Sequence, residues 1–175
     1  VEHMVTLRST PNLNSWRPAD LVETAVAWNE AVKSKKIPTC SIFSRQGTSA
    51  ISRTEDQLSL INKGGYLIDE NDNSDITLIA SGSEVQLIID AAKELKNHSI
   101  SANVVSMPSL DLFLQQSEEF QSSIINPDKP ILVVECSHPN SWYRILNRKD
   151  KVIGIESFGE SAPGSELLCL LYTSP

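Results

Sequence analysis

ITLIASGSEVQLIIDAAKELKNHSISANVVS, residues 76–106, is the stretch that decides the fold. It begins with an apolar run at 76–80 and continues, after a Ser-Gly-Ser turn, with a helical pattern at 84–96. It ends with a second apolar run at 102–106. A strand, a helix and a second strand in this order are typical of a βαβ unit, whose two strands are parallel. The nearly unbroken apolar character of ITLIA indicates a strand that is buried on both faces.

Two more strands are predicted downstream, at 131–135 (ILVVE) and at 152–155. Together with the βαβ unit they predict an α/β fold: a three-layer αβα arrangement around a mainly parallel sheet. Upstream, the polar and turn-rich segment 69–75 (DENDNSD) marks a boundary. Before that boundary we expect a strand at 39–44 and a helix at 52–63, which Thr54 and Gln57 can cap together.

A further helix is predicted at 20–32, with Asp20 as a start signal. Its apolar residues recur at helical spacing, and the pattern predicts that they point towards a core. The residues assigned to this inward face are Leu21, Val22, Ala25, Val26 and Trp28.

Composition and charge exclude several classes of function. The chain has 175 residues and a formal net charge of −7, which argues against nucleic acid and anionic membrane as partners, because both are bound by clusters of Lys and Arg. Its apolar runs are far shorter than a membrane span, and no secretory signal opens it. The three cysteines are widely spaced within apolar runs, which fits buried thiols in a reducing compartment and predicts a cytoplasmic protein.

Four places could carry chemistry, because ligands of open α/β sheets collect beyond the carboxyl ends of the strands. Arg45, in Ser44-Arg45-Gln46, follows a predicted strand and could grip a phosphate with its planar guanidinium, or it could be an ordinary surface arginine. The turn 81–83 (SGS) before a helix could cradle an anion. It lacks a complete phosphate-binding motif, so a tight turn with a serine cap is the favoured interpretation.

The other two places suggest nucleophiles. Segment 135–138 (ECSH) places a cysteine two residues before a histidine, but nothing in a strand makes these side chains face one another, so a buried cysteine and an exposed loop histidine are favoured. Segment 157–163 (SFGESAP) contains Gly-Glu-Ser but lacks the second glycine of a nucleophile elbow, which favours a structural loop. From these patterns alone the chain is an α/β protein with a possible phosphate site.

Seven collinear strings resemble transketolases. They lie between residues 1 and about 168, and their order and spacing match that family. The strings are VEHMVTLRSTPN (1–12), WRPAD (16–20), SRQ (44–46), KGGY (63–66), ASGSEV (80–85), VVSMPS (104–109) and FGESAP (158–163).

The resemblance implies an organisation and an activity. Residues 1–48 are expected to be the end of a pyrimidine-binding α/β domain, with its last strand and helices, 49–75 a linker helix and loop, and 76–175 the C-terminal domain. The family moves a two-carbon ketol unit between sugar phosphates, using thiamine diphosphate and a divalent metal, Mg or Ca, within a homodimer. Arg45 matches the arginine that in this family contacts the substrate phosphate.

The resemblance also implies what this chain does not supply. The family's metal and diphosphate ligands and its catalytic glutamate lie upstream of the matched segment, so no catalytic, cofactor-binding or metal-binding residue is assigned, and the chain alone is expected to be inactive. His3 does not match the family's histidine. Gly47-Thr48 depart from the usual Asn-Leu after SRQ, and the residues after about 168 are atypical, as in a truncated or frame-altered chain.

Two other interpretations remain open. The chain could be a noncatalytic assembly or regulatory module. It could also derive from another thiamine enzyme, such as deoxyxylulose phosphate synthase, although the strings SRQ and FGESAP favour transketolase.

Overall fold

The computed structural model describes residues 2–158 together with Pro163 and Glu166. Its helices are α1 (His3–Ser9), α2 (Leu21–Lys33), α3 (Glu55–Leu60), α4 (Glu84–Asn97), α5 (Leu110–Leu114) and α6 (Glu118–Ile124). Its strands are β1 (Asn14–Trp16), β2 (Thr39–Ser41), β3 (Tyr66–Asp69), β4 (Ile76–Ala80), β5 (Ala102–Ser106), β6 (Ile131–Val134) and β7 (Lys151–Ile153). Short 3-10 helices follow α3 (Ile61–Lys63) and β6 (Pro139–Arg144).

The central sheet has five strands in the order β3-β5-β4-β6-β7. Strands β5, β4, β6 and β7 run parallel to their neighbours, and β3 is an antiparallel edge strand beside β5. The alternation of strands and helices therefore predicted the sheet correctly, and β4 is its central strand. Residues 66–69, which the sequence predicted to be part of a linker, pair with this sheet; the proposed domain limits stay a prediction.

Both faces of the sheet are covered, because successive side chains of each strand alternate between two cores. Ile79, Val105 and Val133 face one core, which α5, α6 and Trp142 complete. Leu78, Val104 and Val134 face the other, against α4 through residues such as Val85 and Ile88. Helices therefore lie on both sides of a mainly parallel sheet, as the sequence predicted.

The first part of the chain attaches to this sheet beside its edge strand. Strands β1 and β2 form a separate two-stranded parallel sheet. Trp16 from β1, Ala27 from α2 and Ile61 are fully buried with Tyr66 of β3 in a third core. Gly64 has a positive φ of 92°, and a Cβ there would collide with the carbonyl oxygen of Ser109, which accounts for glycine in the KGGY string.

The starts of α2 and α3 were predicted correctly, but the buried face of α2 was not. Asp20 caps α2 by accepting from the Glu23 N–H at 3.0 Å, and Thr54 and Gln57 form the predicted capping box. The inward face predicted for α2 is wrong for most of its residues: Leu21 is 84% exposed and Trp28 is 56% exposed, whereas Glu23 and Ala27 are buried. Of the five predicted residues, Val26 packs against the third core. The apolar periodicity identified a helix face that is mostly exposed, apart from Val26 and the stacking of Phe43 on Trp28.

We expect the central strand to carry much of the stability. Ile79→Ala removes a fully buried side chain from β4, and its loss should lower the free energy of unfolding by about 2–5 kcal/mol. Leu87→Ala on α4 is the matched control: Leu87 is 44% exposed, and its loss should cost about 1 kcal/mol or less. Urea denaturation of both variants measures the difference, and equal losses would contradict the assignment of the core.

Candidate functional site

The predicted phosphate-binding arginine lies on an exposed loop. Arg45 belongs to residues 43–50, which follow β2, are exposed throughout and contain neither helix nor strand. Arg45 makes no hydrogen bond or ion pair with the part of the chain that the structure describes. The one hydrogen bond within the loop is donated by the Ser44 hydroxyl to the carbonyl of Gln46, at 3.1 Å. All five donors of the Arg45 guanidinium are therefore available to an external anion.

The ends of the Arg45 loop are held firmly. At its start, the Ile42 N–H donates to the carbonyl of Trp16 at 2.8 Å. The ring of Phe43 stacks on that of Trp28 with centroids 6.3 Å apart. At its end, the Ile51 N–H donates to Asp20 Oδ2 at 3.0 Å. The loop thus spans a fixed gap between the end of β2 and the start of α2.

A buried network around Arg53 holds the second of these ends. The Arg53 side chain is only 1% exposed, and its Nη1 donates to Asp20 Oδ2 at 2.6 Å. Its Nε donates to the Tyr66 hydroxyl at 2.7 Å, and that hydroxyl donates in turn to Glu23 Oε1 at 2.7 Å. The hydroxyl of Ser106, the last residue of β5, reaches the same oxygen of Glu23 at 2.6 Å.

Two carboxylates, those of Asp20 and Glu23, surround the one guanidinium of this network. Burial opposes ionisation of Asp20, but hydrogen bonds from Arg53 and from two backbone N–H groups outweigh it and hold the pKa of Asp20 below its ordinary value. Burial, together with the neighbouring carboxylate of Glu23, raises the pKa of Tyr66, so its hydroxyl stays a donor. Asp20 and Glu23 share the charge of Arg53.

A second buried network fills the carboxyl edge of the central sheet. Its centre is Glu135, which directly follows β6 and is 1% exposed. Arg8 of α1 binds it bidentately: Nη1 lies 2.7 Å from Oε2 and Nη2 lies 2.7 Å from Oε1. Trp142 Nε1 and the Ser137 hydroxyl also donate to Oε2, at 2.7 and 2.5 Å. The hydroxyl of Ser81 donates to Oε1.

Arg17 extends this network to the start of α4. Its Nη1 donates to Glu84 Oε2 and, at 2.5 Å, to the carbonyl of Ser81. It also lies 3.8 Å from Glu135 Oε1. Gly82, with a φ of 60°, has no Cβ that would collide with the Arg17 guanidinium. Burial disfavours the charged form of Arg17, but Glu84 and Glu135 more than compensate, so its pKa is raised.

The position of these arginines has a clear structural meaning. Strand β4 has β5 on one side and β6 on the other, so the connections diverge between the carboxyl ends of β4 and β6. In open α/β sheets this switch point is where ligands bind. Here the chain's own Arg8 and Arg17 occupy it and neutralise Glu135, whose pKa is held well below its ordinary value by Arg8 and Arg17 despite full burial.

Two of the remaining sequence candidates, the turn 81–83 and the segment 135–138, have structural roles. Ser83, the residue before α4, makes no capping bond through its side chain, so the predicted serine cap is wrong; Ser81 instead bonds Glu135. His138 is half-buried, and its Nδ1 accepts from the Asn140 N–H at 3.3 Å, which caps the following 3-10 helix. Of the segment 157–163, residues 159–162 lie outside the described residues.

Sequence reasoning missed both networks. Arg8 and Arg17 lay inside strings that served only to establish a resemblance, Asp20 was identified only as a helix start, and Arg53 was not noticed at all. One signal was present: Glu135 ends a strand of four apolar residues, and a carboxylate buried there must find a cation. The partner could not be named, because Arg8 lies 127 positions away.

Because Glu135 is paired in the folded chain, the free energy of unfolding should depend on pH in the acid range. Its pKa is lowered in the folded chain, whereas the ordinary value is 4.5, so its contribution is fully present above about pH 4.5 and is lost as the pH falls below that value. Glu135→Gln leaves Arg8 and Arg17 without their shared carboxylate. At pH 7 this should cost about 3–5 kcal/mol of unfolding free energy. The experiment covers the range from about pH 5 to about pH 3. Over this range the free energy of unfolding should fall less steeply for the variant than for the unsubstituted chain.

Urea denaturation across this pH range measures both effects. Glu70→Gln is the matched control, because Glu70 is an exposed glutamate in the loop after β3. It should leave stability at pH 7 nearly unchanged, within about 0.5 kcal/mol. If Glu135→Gln behaved like Glu70→Gln, the buried network would not contribute as described.

Comparison with known proteins agrees with this architecture. The family described as the transketolase-like TK C-terminal domain matches residues 64–170. Transketolase 1 of Vibrio parahaemolyticus is 41% identical over 169 residues, which cover 95% of this chain and 26% of that protein. Transketolase 2 of Escherichia coli K12 is 40% identical over 169 residues, covering 95% of this chain and 25% of that protein. The chain therefore spans about a quarter of the length of these relatives.

Solved structures give the same result. A Pichia stipitis transketolase in complex with sedoheptulose 7-phosphate superimposes with a TM-score of 0.91 at 34% identity, over 98% of this chain and 25% of that one. Transketolase from Campylobacter jejuni gives a TM-score of 0.85 at 36% identity, over 96% and 25% of the two chains. With the sheet, its strand order and the family match in agreement, the chain belongs to the transketolase family and contains its C-terminal domain.

Proposed function

We propose that this chain is the C-terminal part of a transketolase, a transferase that moves a two-carbon ketol unit between sugar phosphates. The observation that carries the proposal is about 40% identity with curated transketolases along 95% of the chain. The proposal includes a cytoplasmic homodimer that acts in the pentose phosphate pathway with thiamine diphosphate and a divalent metal, Mg or Ca. It also includes the division at 1–48, 49–75 and 76–175.

Within that protein, Arg45 binds the phosphate end of the substrate. Three features support this role: Arg45 follows a strand end, its guanidinium is exposed, and no described residue neutralises it. Sugar phosphates are dianionic near neutral pH, and a guanidinium meets them with short, charge-assisted hydrogen bonds. The buried arginines, Arg8, Arg17 and Arg53, are already paired with carboxylates and cannot serve in this way.

The described residues do not fit the metal or the diphosphate. Among residues 2–158, Pro163 and Glu166, no group of three His, Cys, Asp or Glu side chains could hold a metal ion. We therefore assign no chemical step to this chain, and its own contribution is to bind and orient the phosphorylated end of the substrate. The part of the chain that the structure describes also contains no helix long and apolar enough to cross a membrane.

A second candidate function, a noncatalytic assembly module, is favoured by one observation. Helix α2 exposes a stripe at helical spacing, formed by Leu21, Ala25, Trp28 and Val32. A stripe of this kind along a helix is typical of a surface that another polypeptide covers. The two functions are compatible, because a chain that spans a quarter of its relatives can both bind a phosphate and provide packing.

The isolated chain should not bind thiamine diphosphate or transfer ketol groups. The physical reason is that its described residues include no cluster able to hold the divalent ion that bridges a diphosphate to a protein. Calorimetric titration with thiamine diphosphate and magnesium measures this directly. Saturable binding with a dissociation constant in the micromolar range would show that the chain contains a cofactor site that we have missed.

Replacing Arg45 in the full-length enzyme should weaken the binding of phosphorylated sugars. Losing a charge-assisted pair costs about 1.5–3 kcal/mol, or roughly ten- to a hundredfold in an equilibrium constant. Arg45→Ala should therefore lower kcat/KM for a ketose phosphate, mainly through KM. Arg45→Lys should restore only part of the loss, because an ammonium keeps the charge and not the fork.

Hydroxypyruvate, an unphosphorylated two-carbon donor, is the control substrate. Hydroxypyruvate has no phosphate for Arg45 to hold. The rate at which it donates its two-carbon unit, measured without a phosphorylated acceptor, should therefore be nearly unaffected by either substitution. If Arg45→Ala slowed that half-reaction as much as it slowed turnover of the sugar phosphate, Arg45 would have a structural or general catalytic role instead.

A further inference from the structure

We propose that Arg53 is a positioning residue for Arg45: it fixes the end of the loop that presents the guanidinium to the substrate phosphate. The inference rests on the proposed function of Arg45 and extends it to a residue that contacts no substrate. Arg53 lies eight positions after Arg45, and its side chain is turned inwards, where it is almost completely buried.

Contacts within the Arg45 loop are too few to fix the conformation of its backbone. Residues 43–50 are exposed, and their one hydrogen bond within the described chain joins Ser44 to Gln46. A Cβ added at Gly47 would meet no atom within 4 Å. The conformation of Arg45 therefore depends on where the two ends of the loop are attached, and each free backbone residue adds entropy that substrate binding must remove.

Arg53 holds Ile51, the residue at the end of the Arg45 loop, in two ways. It donates from Nη1 to the carbonyl of Ile51 at 2.9 Å, so it binds that residue directly. It also donates to Asp20 Oδ2 at 2.6 Å, the same oxygen that accepts the Ile51 N–H at 3.0 Å. Both the donor and the acceptor of the Ile51 backbone are thus placed by one guanidinium and its carboxylate partner.

The Arg53 side chain is itself held by several contacts. Its Nε is bonded to the hydroxyl of Tyr66 at 2.7 Å, and its Cζ lies 5.7 Å from the centroid of that ring. Its Nη2 lies 3.3 Å from Glu23 Oε1, which Ser106 at the end of β5 also binds. The end of the Arg45 loop is therefore attached through Arg53 to β3 and β5 of the central sheet.

The test uses the full-length enzyme and compares a ketose phosphate with hydroxypyruvate. Arg53→Met keeps an unbranched apolar stem but removes the guanidinium and every hydrogen bond that it donates. We expect KM for the ketose phosphate to rise on the order of tenfold, since a misplacement of 1 Å can cost as much as a hundredfold. KM and kcat for hydroxypyruvate, measured with an unphosphorylated aldehyde as the acceptor of the two-carbon unit, should be nearly unchanged, and Arg53→Lys should recover part of the phosphate-selective loss.

The matched control is Arg8→Met. Arg8 is an equally buried arginine paired with a carboxylate, but it contacts Glu135, Ser141 and Trp142 and no residue of the Arg45 loop. It should lower thermal stability at least as much as Arg53→Met while leaving the ratio of the two substrates' kcat/KM values as in the unsubstituted enzyme. A shift in that ratio of similar size in Arg8→Met would mean that general destabilisation causes the effect, and the proposal would be overturned.

A double variant shows whether Arg53 acts through Arg45. If it does, Arg45→Ala with Arg53→Met should be no more selective against phosphorylated substrate than Arg45→Ala alone, because the positioned group is already gone. If the double variant instead lost selectivity by the product of the two single variants' losses, Arg53 would act independently of Arg45. That result would overturn the inference. Should Arg53→Met fail to fold, Arg53→Lys and Asp20→Asn carry the same comparisons.

The inference and the proposed function fail in different ways. If Arg45→Ala affects both donors equally, the role of Arg45 in phosphate binding is wrong, whatever Arg53 does. If Arg45→Ala is selective for the phosphorylated donor and none of the Arg53 and Asp20 variants is, only the positioning role of Arg53 is wrong.

Discussion

The carboxylate of Glu135 is the group on which the arrangement of this chain depends. It is fully buried at the end of a strand, and a charge in that position is tolerated only if cations and hydrogen-bond donors surround it. The cations come from Arg8 and Arg17, which lie in the segment before the central sheet. One buried charge therefore requires the beginning of the chain to stay docked on the carboxyl edge of the sheet, and the second network, around Arg53, docks the following segment in the same way.

The two networks and the Arg45 loop divide the arginines by role. Arg8, Arg17 and Arg53 are buried and paired with carboxylates, so they hold parts of the chain together. Arg45 is exposed and unpaired with the described residues, so it is the arginine suited to an external anion. The switch point of the sheet, where open α/β proteins bind ligands, is occupied by the first group. This chain thus uses for docking an edge that related folds use for ligands.

The sequence predicted what is local and missed what is remote. Strand and helix alternation, the Asp20 cap and the Thr54 capping box depend on residues a few positions apart, and the structure has all of them. The apolar period of α2 predicted a covered face, but Leu21, Val22 and Trp28 are exposed in the part of the chain that the structure describes. The pair of Arg8 and Glu135 leaves no periodic pattern, and neither does Arg53 with Glu23. Arg45 was found from its strand-end position and the SRQ string, and its contact with substrate stays a prediction.

The separation of Arg8 from Glu135 has a consequence for synthesis on the ribosome. The two residues are 127 positions apart, and translation proceeds at about 5–20 residues per second, so Arg8 leaves the ribosome roughly 6–25 seconds before its partner. During that interval Arg8 of α1 has neither strand β6 nor Glu135 to dock on. Trp16, by contrast, is buried with Ala27, Ile61 and Tyr66, which leave the ribosome well before β6, so this core can form while α1 still lacks the carboxylate on which it docks.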